Sequence, residues 1–359
     1  MSKKIRVLVV EDSTTIRKRL VDILGAEPDF EVIGEAEDGK RAIELCREAR
    51  PDVITMDMML PVMSGLAATE FIMAHCPTPI LVVSASINRG ELFKIYEALS
   101  AGAVDVLEKP TGRQTDGAWE RRFVATLKLV ARIRVITHPR ARLAGLSQRN
   151  PARAAPTLDA ASEEHGFRVV AIGASTGGPG AILEILRTLP APFRLPILLV
   201  LHINEPFGTA FADWLDAQTS RPVVYAKEGM SIVSAVGCVV MAPGDRHMVV
   251  RDGYLHLTRD AERHSCRPSV DVLFESVAET YGRRAVACLL TGMGRDGALG
   301  LLKIRQAGGL TIAQDEATSV VYGMPREAVM LGAAIEVLRI GDIGVRLGAL
   351  QGAEMEARA

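Results

Sequence analysis

The chain has 359 residues, of which 48% are hydrophobic and 24% charged, and its formal net charge is −1. This composition is typical of soluble globular proteins, and the balanced charge argues against general nucleic-acid or membrane binding. The length exceeds one ordinary core, so we expect two domains. The N-terminal apolar run is too short for a signal peptide and no stretch reaches the length of a membrane span, which predicts a cytoplasmic protein that is not inserted in a membrane.

The five cysteines are scattered along the chain and contain no C-x-x-C pair. This pattern predicts buried thiols in a reducing compartment, and it argues against a disulfide or zinc framework. The cysteines are Cys46, Cys76, Cys238, Cys266 and Cys288.

Short β-branched runs alternate with helical patterns over the first 110 residues. The alternation predicts a five-stranded parallel sheet with helices on both faces, closed by a helix over about 117–134. The five runs are IRVLVV, EVIGEA, DVITMD, PILVVSA and DVLEKP.

Polar residues stand at the C-terminal ends of these predicted strands. Glu11 and Asp12 follow the first strand and Asp57 ends the third, and these strands are neighbours in a doubly wound sheet. Three carboxylates in one crevice repel each other, which a hard cation with oxygen ligands, such as Mg²⁺, compensates. Ser84 and Lys109, which end the fourth and fifth strands, add a hydroxyl and a positive charge. Together the five groups predict an aspartyl-phosphate site in which Asp57 attacks phosphorus.

The segments VVEDS, MDMMLPVMSG, VVSAS and EKP resemble the receiver domain of response regulators over roughly residues 4–123. The resemblance implies a flavodoxin-like domain, assigned to residues 1–123, in which a partner histidine kinase phosphorylates Asp57.

Beyond it, residues 121–158 contain nine Lys or Arg and no Asp or Glu. With little apolar periodicity, this region predicts an exposed basic linker over residues 124–165.

A second series of strand and helix patterns begins near residue 167. It predicts a second doubly wound α/β domain over residues 166–352. The pattern HMVVRDGYLHLTR places D-G between two alternating runs, which predicts an antiparallel β-hairpin within this domain.

Ser175 lies in the motif G-A-S-T-G, between an apolar run and a helical pattern. G-x-S-x-G at a strand–turn–helix junction is typical of an exposed nucleophile. A structural turn or a phosphate cradle remains an alternative, whereas the dinucleotide pattern G-x-G-x-x-G is not met.

A nucleophilic serine needs a base and an orienting acid. His202 ends the next strand, although a lone histidine is more often structural. Periodicity does not choose among four candidate acids: Asp245, Asp271, Asp296 and Asp315.

The set GASTGG, APGDRHM, RPSVDVLFESVA, LTGMGRDGA and AQDEATSVVYGMPREA resembles the catalytic domain of chemotaxis protein-glutamate methylesterases, over about residues 167–345. The resemblance implies a catalytic triad of Ser175, His202 and Asp296 without a cofactor in the esterase site. It also implies that the backbone N–H of Met293 binds the oxyanion. The N–H of Thr176, next to the nucleophile, is a second candidate donor.

The combined resemblance implies a phosphorylation-activated hydrolase that removes methyl groups from glutamate esters of methyl-accepting chemotaxis receptors and deamidates receptor glutamines. It further implies that the unphosphorylated receiver inhibits the esterase, so residues 160–359 alone are expected to be active.

A DNA-binding response regulator is the first rival. Residues 166–359 contain 19 basic and 20 acidic residues, without the basic footprint of a DNA-binding domain, so no nucleic-acid partner is expected. An inert scaffold that keeps the esterase fold is the second rival.

Overall fold

The structure is a computed structural model, and it divides into two units, Met1–Ser147 and Gln148–Ala359. It describes residues 3–85, 88–110, 117–133, 135, 166–191, 193–203, 207–208 and 210–356, with the side chains of 351–356 left out. Most of the predicted linker, residues 124–165, lies outside the described residues.

The first unit is a five-stranded parallel sheet with the strand order β2-β1-β3-β4-β5. All five predicted strands are present, which confirms the doubly wound architecture. The strands are β1 Ile5–Val10, β2 Phe30–Ala36, β3 Val53–Met56, β4 Ile80–Ser84 and β5 Asp105–Glu108, and the helices are α1 Thr14–Ala26, α2 Gly39–Ala49, α3 Gly65–His75, α4 Arg89–Ser100 and α5 Ala118–Val130.

Apolar patterning explains how this unit builds its core. Strands β3 and β4 are buried along their whole length, as expected for parallel strands with helices on both faces. Helix α5 buries residues at helical spacing, namely Trp119, Phe123, Leu127 and Val130. The predicted boundary at residue 123 therefore falls within a packed helix.

The second unit contains a seven-stranded parallel sheet of order β15-β14-β13-β6-β7-β10-β8 and a three-stranded antiparallel sheet of order β11-β12-β9. The strands are β6 Val169–Ala174, β7 Ile197–Leu201, β8 Val223–Tyr225, β9 Met230–Ser231, β10 Val239–Met241, β11 His247–Arg251, β12 Tyr254–Thr258, β13 Ala285–Leu289, β14 Leu310–Gln314 and β15 Glu336–Leu338. The helices are α6 Gly178–Thr188, α7 Phe211–Gln218, α8 Val270–Tyr281, α9 Ala298–Gln306, α10 Met324–Met330 and α11 Ile340–Glu356.

The D-G hairpin prediction is confirmed. Strands β11 and β12 pair antiparallel up to Arg251 and Tyr254, and the two residues between them have positive φ, 52° at Asp252 and 79° at Gly253. A two-residue turn needs this left-handed backbone at both positions to match the twist of its strands. The short strands β9 and β15 were not predicted; none of their residues is buried, so no apolar run that faces the core marks them.

All five cysteines are free thiols, but only Cys46 and Cys288 are buried; the others are half-buried. The prediction of buried thiols is therefore wrong for Cys76, Cys238 and Cys266. Two of the thiols lie close together, because the sulfur atoms of Cys46 and Cys76 are 3.7 Å apart. These residues are separated by 30 positions, yet α2 packs against α3 and brings them together. None of the described helices combines the length and apolar character that crossing a bilayer requires.

Candidate phosphorylation and esterase sites

The parallel register of the first sheet assembles the predicted phosphorylation site. Val10 pairs with Met56 across β1 and β3, so the next residues, Glu11 and Asp57, lie side by side. Lys109 Nζ is 2.8 Å from Asp57 Oδ2 and 2.9 Å from Glu11, and Ser84 Oγ donates to Asp57 Oδ1 at 3.2 Å. Asp12 is exposed at the rim.

The electrostatics of this site leave room for a cation. Burial raises the pKa of Glu11 to about 7; the hydrogen bond from Lys109 opposes this rise and the charge of Asp57 adds to it. Burial alone would lower the pKa of Lys109, but its hydrogen bonds to Asp57 and Glu11 hold it above its usual value. Oxygen atoms of Glu11, Asp12 and Asp57 lie within 4.8 Å of one another. One lysine faces three carboxylates, and this all-oxygen ligand set fits Mg²⁺.

In the second unit, the glycine-rich loop after β6 fixes the backbone of Ser175. The N–H of Ser175 donates to Thr291 O at 3.0 Å, and Ser175 O accepts from the N–H of Gly178 at 2.7 Å. Gly177 has φ +77°, and a Cβ there would lie 2.5 Å from Val320 Cβ. Only glycine meets both the backbone conformation and the close approach. The loop thus turns Ser175 out of the sheet, half-buried, at the start of α6.

His202 follows β7 at the same edge of the sheet. Ala174 pairs with Leu201 in the parallel register, and the backbone N–H of His202 donates to Ala174 O at 3.0 Å. Its Nε2 lies 2.9 Å from Asp296 Oδ2. The structure therefore brings together His202, which directly follows β7, and Asp296, which lies in the loop after β13. Strands β7 and β13 flank β6 in the sheet.

Asp296 is buried and held at the N-terminus of α8. Its Oδ2 accepts from the N–H of Val270 at 2.7 Å, and its Oδ1 accepts from Ser269 Oγ at 2.8 Å and the N–H of Asp271 at 3.0 Å. Helix N-termini stabilise negative charge. Burial alone would raise the pKa of Asp296, but the hydrogen bonds from His202, Asp271 and Ser269 hold it below its usual value. The residue is thus an ionised, oriented acceptor.

The charge state of His202 follows from these contacts. Burial alone would lower the pKa of His202, but the hydrogen bond to Asp296, reinforced by Cys266, raises it to about 9. The imidazole is therefore protonated at neutral pH in this geometry. A general base must lose that proton first.

The other three candidate acids have different partners. Asp245 is exposed and pairs with an arginine at 2.7 Å. Asp271 is buried but pairs with a second histidine at 3.0 Å. Asp315 accepts from the N–H of the threonine three residues later at 3.1 Å. Geometry thus selects Asp296 as the partner of His202, where periodicity left four alternatives.

The two predicted oxyanion donors lie in loops that Thr291 fastens together. Thr291 Oγ1 donates to Thr176 O at 2.9 Å, and Thr291 O accepts from the N–H of Ser175. Across the described residues, the N–H groups of Thr176 and Met293 have no hydrogen-bond partner. Both N–H groups are therefore free to donate to a substrate oxygen. Sequence reasoning did not find Thr291, whose only signal is its position in LTGMG.

The contact between the second ring nitrogen of His202 and Cys266 was also not predicted. His202 Nδ1 lies 3.8 Å from Cys266 Sγ. Within the part of the chain that the structure describes, Ser175 Oγ has no hydrogen-bond partner. Cys266 directly precedes the RPS motif, but its sequence offered no signal that it faces the histidine.

Comparison with known proteins agrees with this architecture. Residues 7–115 match the response regulator receiver domain, and residues 170–347 match CheB methylesterase. A protein-glutamate methylesterase/protein-glutamine glutaminase of Nitrosospira multiformis is 42% identical over 96% of each chain. A second, from Anaeromyxobacter dehalogenans, is 44% identical over 95% of each chain. The solved catalytic domain of Thermotoga maritima CheB methylesterase is 35% identical over 52% of this chain and 99% of its own, with a TM-score of 0.49.

The fold and the matched regions define the class: a response regulator whose receiver domain precedes a carboxylic ester hydrolase. Within that class, the chain belongs to the family of protein-glutamate methylesterases/protein-glutamine glutaminases, since it is 42% identical to such a relative over 96% of its length. The family resemblance inferred from the sequence motifs is confirmed.

Proposed function

We propose that this enzyme hydrolyses methyl esters of glutamate side chains in chemoreceptors through Ser175, His202 and Asp296. The observation that supports this proposal most directly is the 2.9 Å contact between His202 Nε2 and Asp296 Oδ2. Ser175 directly follows β6 at the same edge of the sheet. Because Nε2 is engaged by Asp296, Nδ1 is the nitrogen left to act on Ser175. Asp296 fixes the tautomer of the neutral imidazole and stabilises the imidazolium.

The reaction proceeds through an acyl-enzyme. Ser175 Oγ attacks the ester carbonyl as His202 takes its proton, and His202 returns that proton to the methoxy group, which leaves as methanol. Water then attacks the acyl-enzyme by the same route and regenerates Ser175. The free N–H groups of Thr176 and Met293 supply the oxyanion donors. A glutamine side chain follows the same path and releases ammonia, which explains the second activity in the relatives' name.

The receiver regulates this esterase. A cytoplasmic histidine kinase of the chemosensory pathway supplies the phosphoryl group to Asp57, and Lys109 and Ser84 hold the phosphoryl oxygens. Glu11, Asp12 and Asp57 would hold Mg²⁺, which would supply positive charge beside the phosphoryl group. Phosphorylation of Asp57 relieves inhibition of the esterase by the receiver.

The test measures volatile methanol released from receptor-containing membranes that bear radiolabelled methyl esters. We expect release to rise with an acyl phosphate and Mg²⁺, and to fall by about 10³-fold or more in Ser175→Ala. Ser234→Ala is the matched control, because Ser234 is exposed and bonds only its own turn. Asp57→Asn should keep basal release and lose the increase. Undiminished release from Ser175→Ala would exclude the mechanism.

A further inference from the structure

A tight turn fixes the position of Cys266 beside the proposed catalytic histidine. The backbones of Arg263 and Cys266 exchange two hydrogen bonds, of 3.2 and 2.9 Å. The two residues between them, His264 and Ser265, have φ of 52° and 59°, the left-handed values of a type I′ turn. The turn is anchored to the core because His264 Nε2 lies 3.0 Å from the buried carboxylate of Asp271. Cys266 is therefore held in place rather than displayed on a free loop.

Cys266 extends the histidine–aspartate pair into a thiol–imidazole–carboxylate series. Its Sγ is 3.8 Å from His202 Nδ1, whose opposite nitrogen is 2.9 Å from Asp296. Cys266 is half-buried, so a small reagent can reach it. In the described chain Ser175 Oγ has no partner, and it is the thiol that contacts the nitrogen that the proposed mechanism assigns to Ser175. The nucleophile that contacts the proposed catalytic base in this structure is thus the thiol of Cys266.

We propose that Cys266 is a site of reversible oxidation by hydroperoxides, and that its sulfenic acid closes the esterase site. The regulatory part rests on the proposed function, because it requires His202 to serve Ser175. The oxidation itself rests only on the contact between Cys266 and His202.

The oxidation step balances without a further reagent. Once His202 has lost its own proton to water, the neutral imidazole takes the proton of Cys266, and the thiolate attacks one oxygen of the peroxide. The S–O bond forms as the O–O bond breaks, so sulfur loses two electrons and the peroxide gains them. With hydrogen peroxide, the departing hydroxide takes the proton from His202 and leaves as water. The added oxygen on Cys266 then lies between Sγ and Nδ1, where it blocks proton transfer from Ser175.

The chain contains its own control for this chemistry. Cys238 is half-buried like Cys266, and each thiol contacts the carbonyl two residues before it, at 3.8 Å for Cys238 and 3.4 Å for Cys266. Exposure is thus similar in the two thiols, while only Cys266 faces an imidazole among the residues described here. A difference in their reaction rates therefore reports the imidazole.

The first experiment follows the modification without relying on esterase activity. The full-length protein is treated with graded hydrogen peroxide, sulfenic acid is trapped with dimedone, and adducts are mapped by peptide mass spectrometry. We expect Cys266 to react about tenfold faster than Cys238 or more, since an adjacent base activates a thiol. The ratio should persist in Ser175→Ala and fall toward one in His202→Gln.

The second experiment follows methanol release, with each variant compared with its own untreated sample. Wild-type and Cys238→Ser protein should lose activity in step with the Cys266 adduct and regain it with a reducing thiol, whereas Cys266→Ser should resist the same treatment. Equal reaction of Cys266 and Cys238, an unchanged ratio in His202→Gln, or loss of activity at the wild-type rate in Cys266→Ser would each overturn the proposal. If no variant released methanol while the labelling kept its dependence on His202, the oxidation site would be supported and the proposed function would fail.

Discussion

Asp296 and His202 form the central pair of the esterase site, with Oδ2 and Nε2 2.9 Å apart. Asp296 is held in turn by the N-terminus of α8, where the N–H groups of Val270 and Asp271 and the hydroxyl of Ser269 donate to it. Four donors in all, two backbone N–H groups and two side chains, fix the orientation of this carboxylate. Because the ring of His202 bonds to this carboxylate, its orientation is fixed as well. This explains how a site built from three separate loops can hold a defined geometry.

The first prediction concerns the pH dependence of the esterase. The hydrogen bond to Asp296 raises the pKa of His202 to about 9 against the effect of burial, and only neutral His202 accepts the proton of Ser175. The value of kcat/KM should therefore rise with pH toward about 9. In Asp296→Asn the inflection should move down, toward the ordinary histidine range, while the plateau falls by about 10³–10⁴-fold. Methanol release measured from pH 5.5 to 10 tests both changes, and an inflection that stays in place in Asp296→Asn would contradict the assignment.

The second prediction concerns Thr291, the residue that joins the loops of the two oxyanion candidates. Its hydroxyl donates to Thr176 O and accepts from the N–H of Val321, both at 2.9 Å. Thr291→Val keeps the shape but leaves these buried groups unpaired, at a cost of about 1–3 kcal/mol in the free energy of unfolding. We expect kcat/KM to fall by about 10-fold or more as well, because the loops that position the donors loosen.

Thr311→Val is the matched control for that experiment. Thr311 is equally buried, and its hydroxyl donates to Ala333 O at 2.7 Å and accepts from the N–H of Ile335 at 3.1 Å. It lies on β14, away from the loops of the site, so its replacement should leave kcat/KM near the wild-type value. It should still reduce stability, because Ala333 O loses its donor, although the N–H of Ile335 keeps its 2.9 Å bond to Thr311 O. Urea unfolding and methanol release on both variants separate the two effects. Parallel losses of activity would assign Thr291 a purely structural role.

The third prediction concerns the phosphorylation site. Lys109 Nζ is within 2.9 Å of Glu11 and Asp57, so Lys109→Ala removes the cation that faces both carboxylates. We expect phosphoryl transfer from a radiolabelled acyl phosphate to slow by about 10²-fold or more, and chelation of Mg²⁺ to abolish it. Lys128→Ala is the control, because Lys128 pairs with surface acids on the same unit. Labelling that survives chelation, or that falls equally in both variants, would contradict the proposed roles.

The sequence predicted most of the fold because each buried strand is a short apolar run bounded by turn residues, which can be recognised without its pairing partners. The five strands of the first sheet, and the D-G hairpin of the second unit, were each legible from a few consecutive residues. Strands β9 and β15 were missed because none of their residues is buried, so neither contains an apolar run that faces the core. The contact between Cys46 and Cys76 was not predicted, because it depends on the packing of two helices that hold residues 30 positions apart.

The residues of the candidate site also differ in how far the sequence predicted them. The positions of Ser175 and His202 follow from strand ends, whereas the choice of Asp296 from four acids needed either the resemblance or the contacts themselves. Thr291 and Cys266 gave no pattern, because one hydroxyl or thiol in a loop has no periodicity. Their roles depend on three loops meeting in space, which no single stretch of sequence contains.

The last prediction concerns Gly177, whose φ of +77° and 2.5 Å approach to Val320 impose two separate demands. Gly177→Ala should destabilise the protein by about 1–3 kcal/mol and lower kcat/KM, since backbone strain and the clash both displace the loop of Ser175. Adding Val320→Gly removes the clashing Cβ and Cγ2 but not the strain. Measured against Val320→Gly alone, the double variant should therefore recover only part of both losses. Gly25→Ala is the control, because a Cβ there meets nothing within 4 Å, and an alanine in helix α1 should be neutral or slightly stabilising. Urea unfolding and methanol release provide the two readouts. Full recovery in the double variant would mean that the left-handed backbone at Gly177 costs nothing, and wild-type behaviour of Gly177→Ala would mean that this loop does not position Ser175.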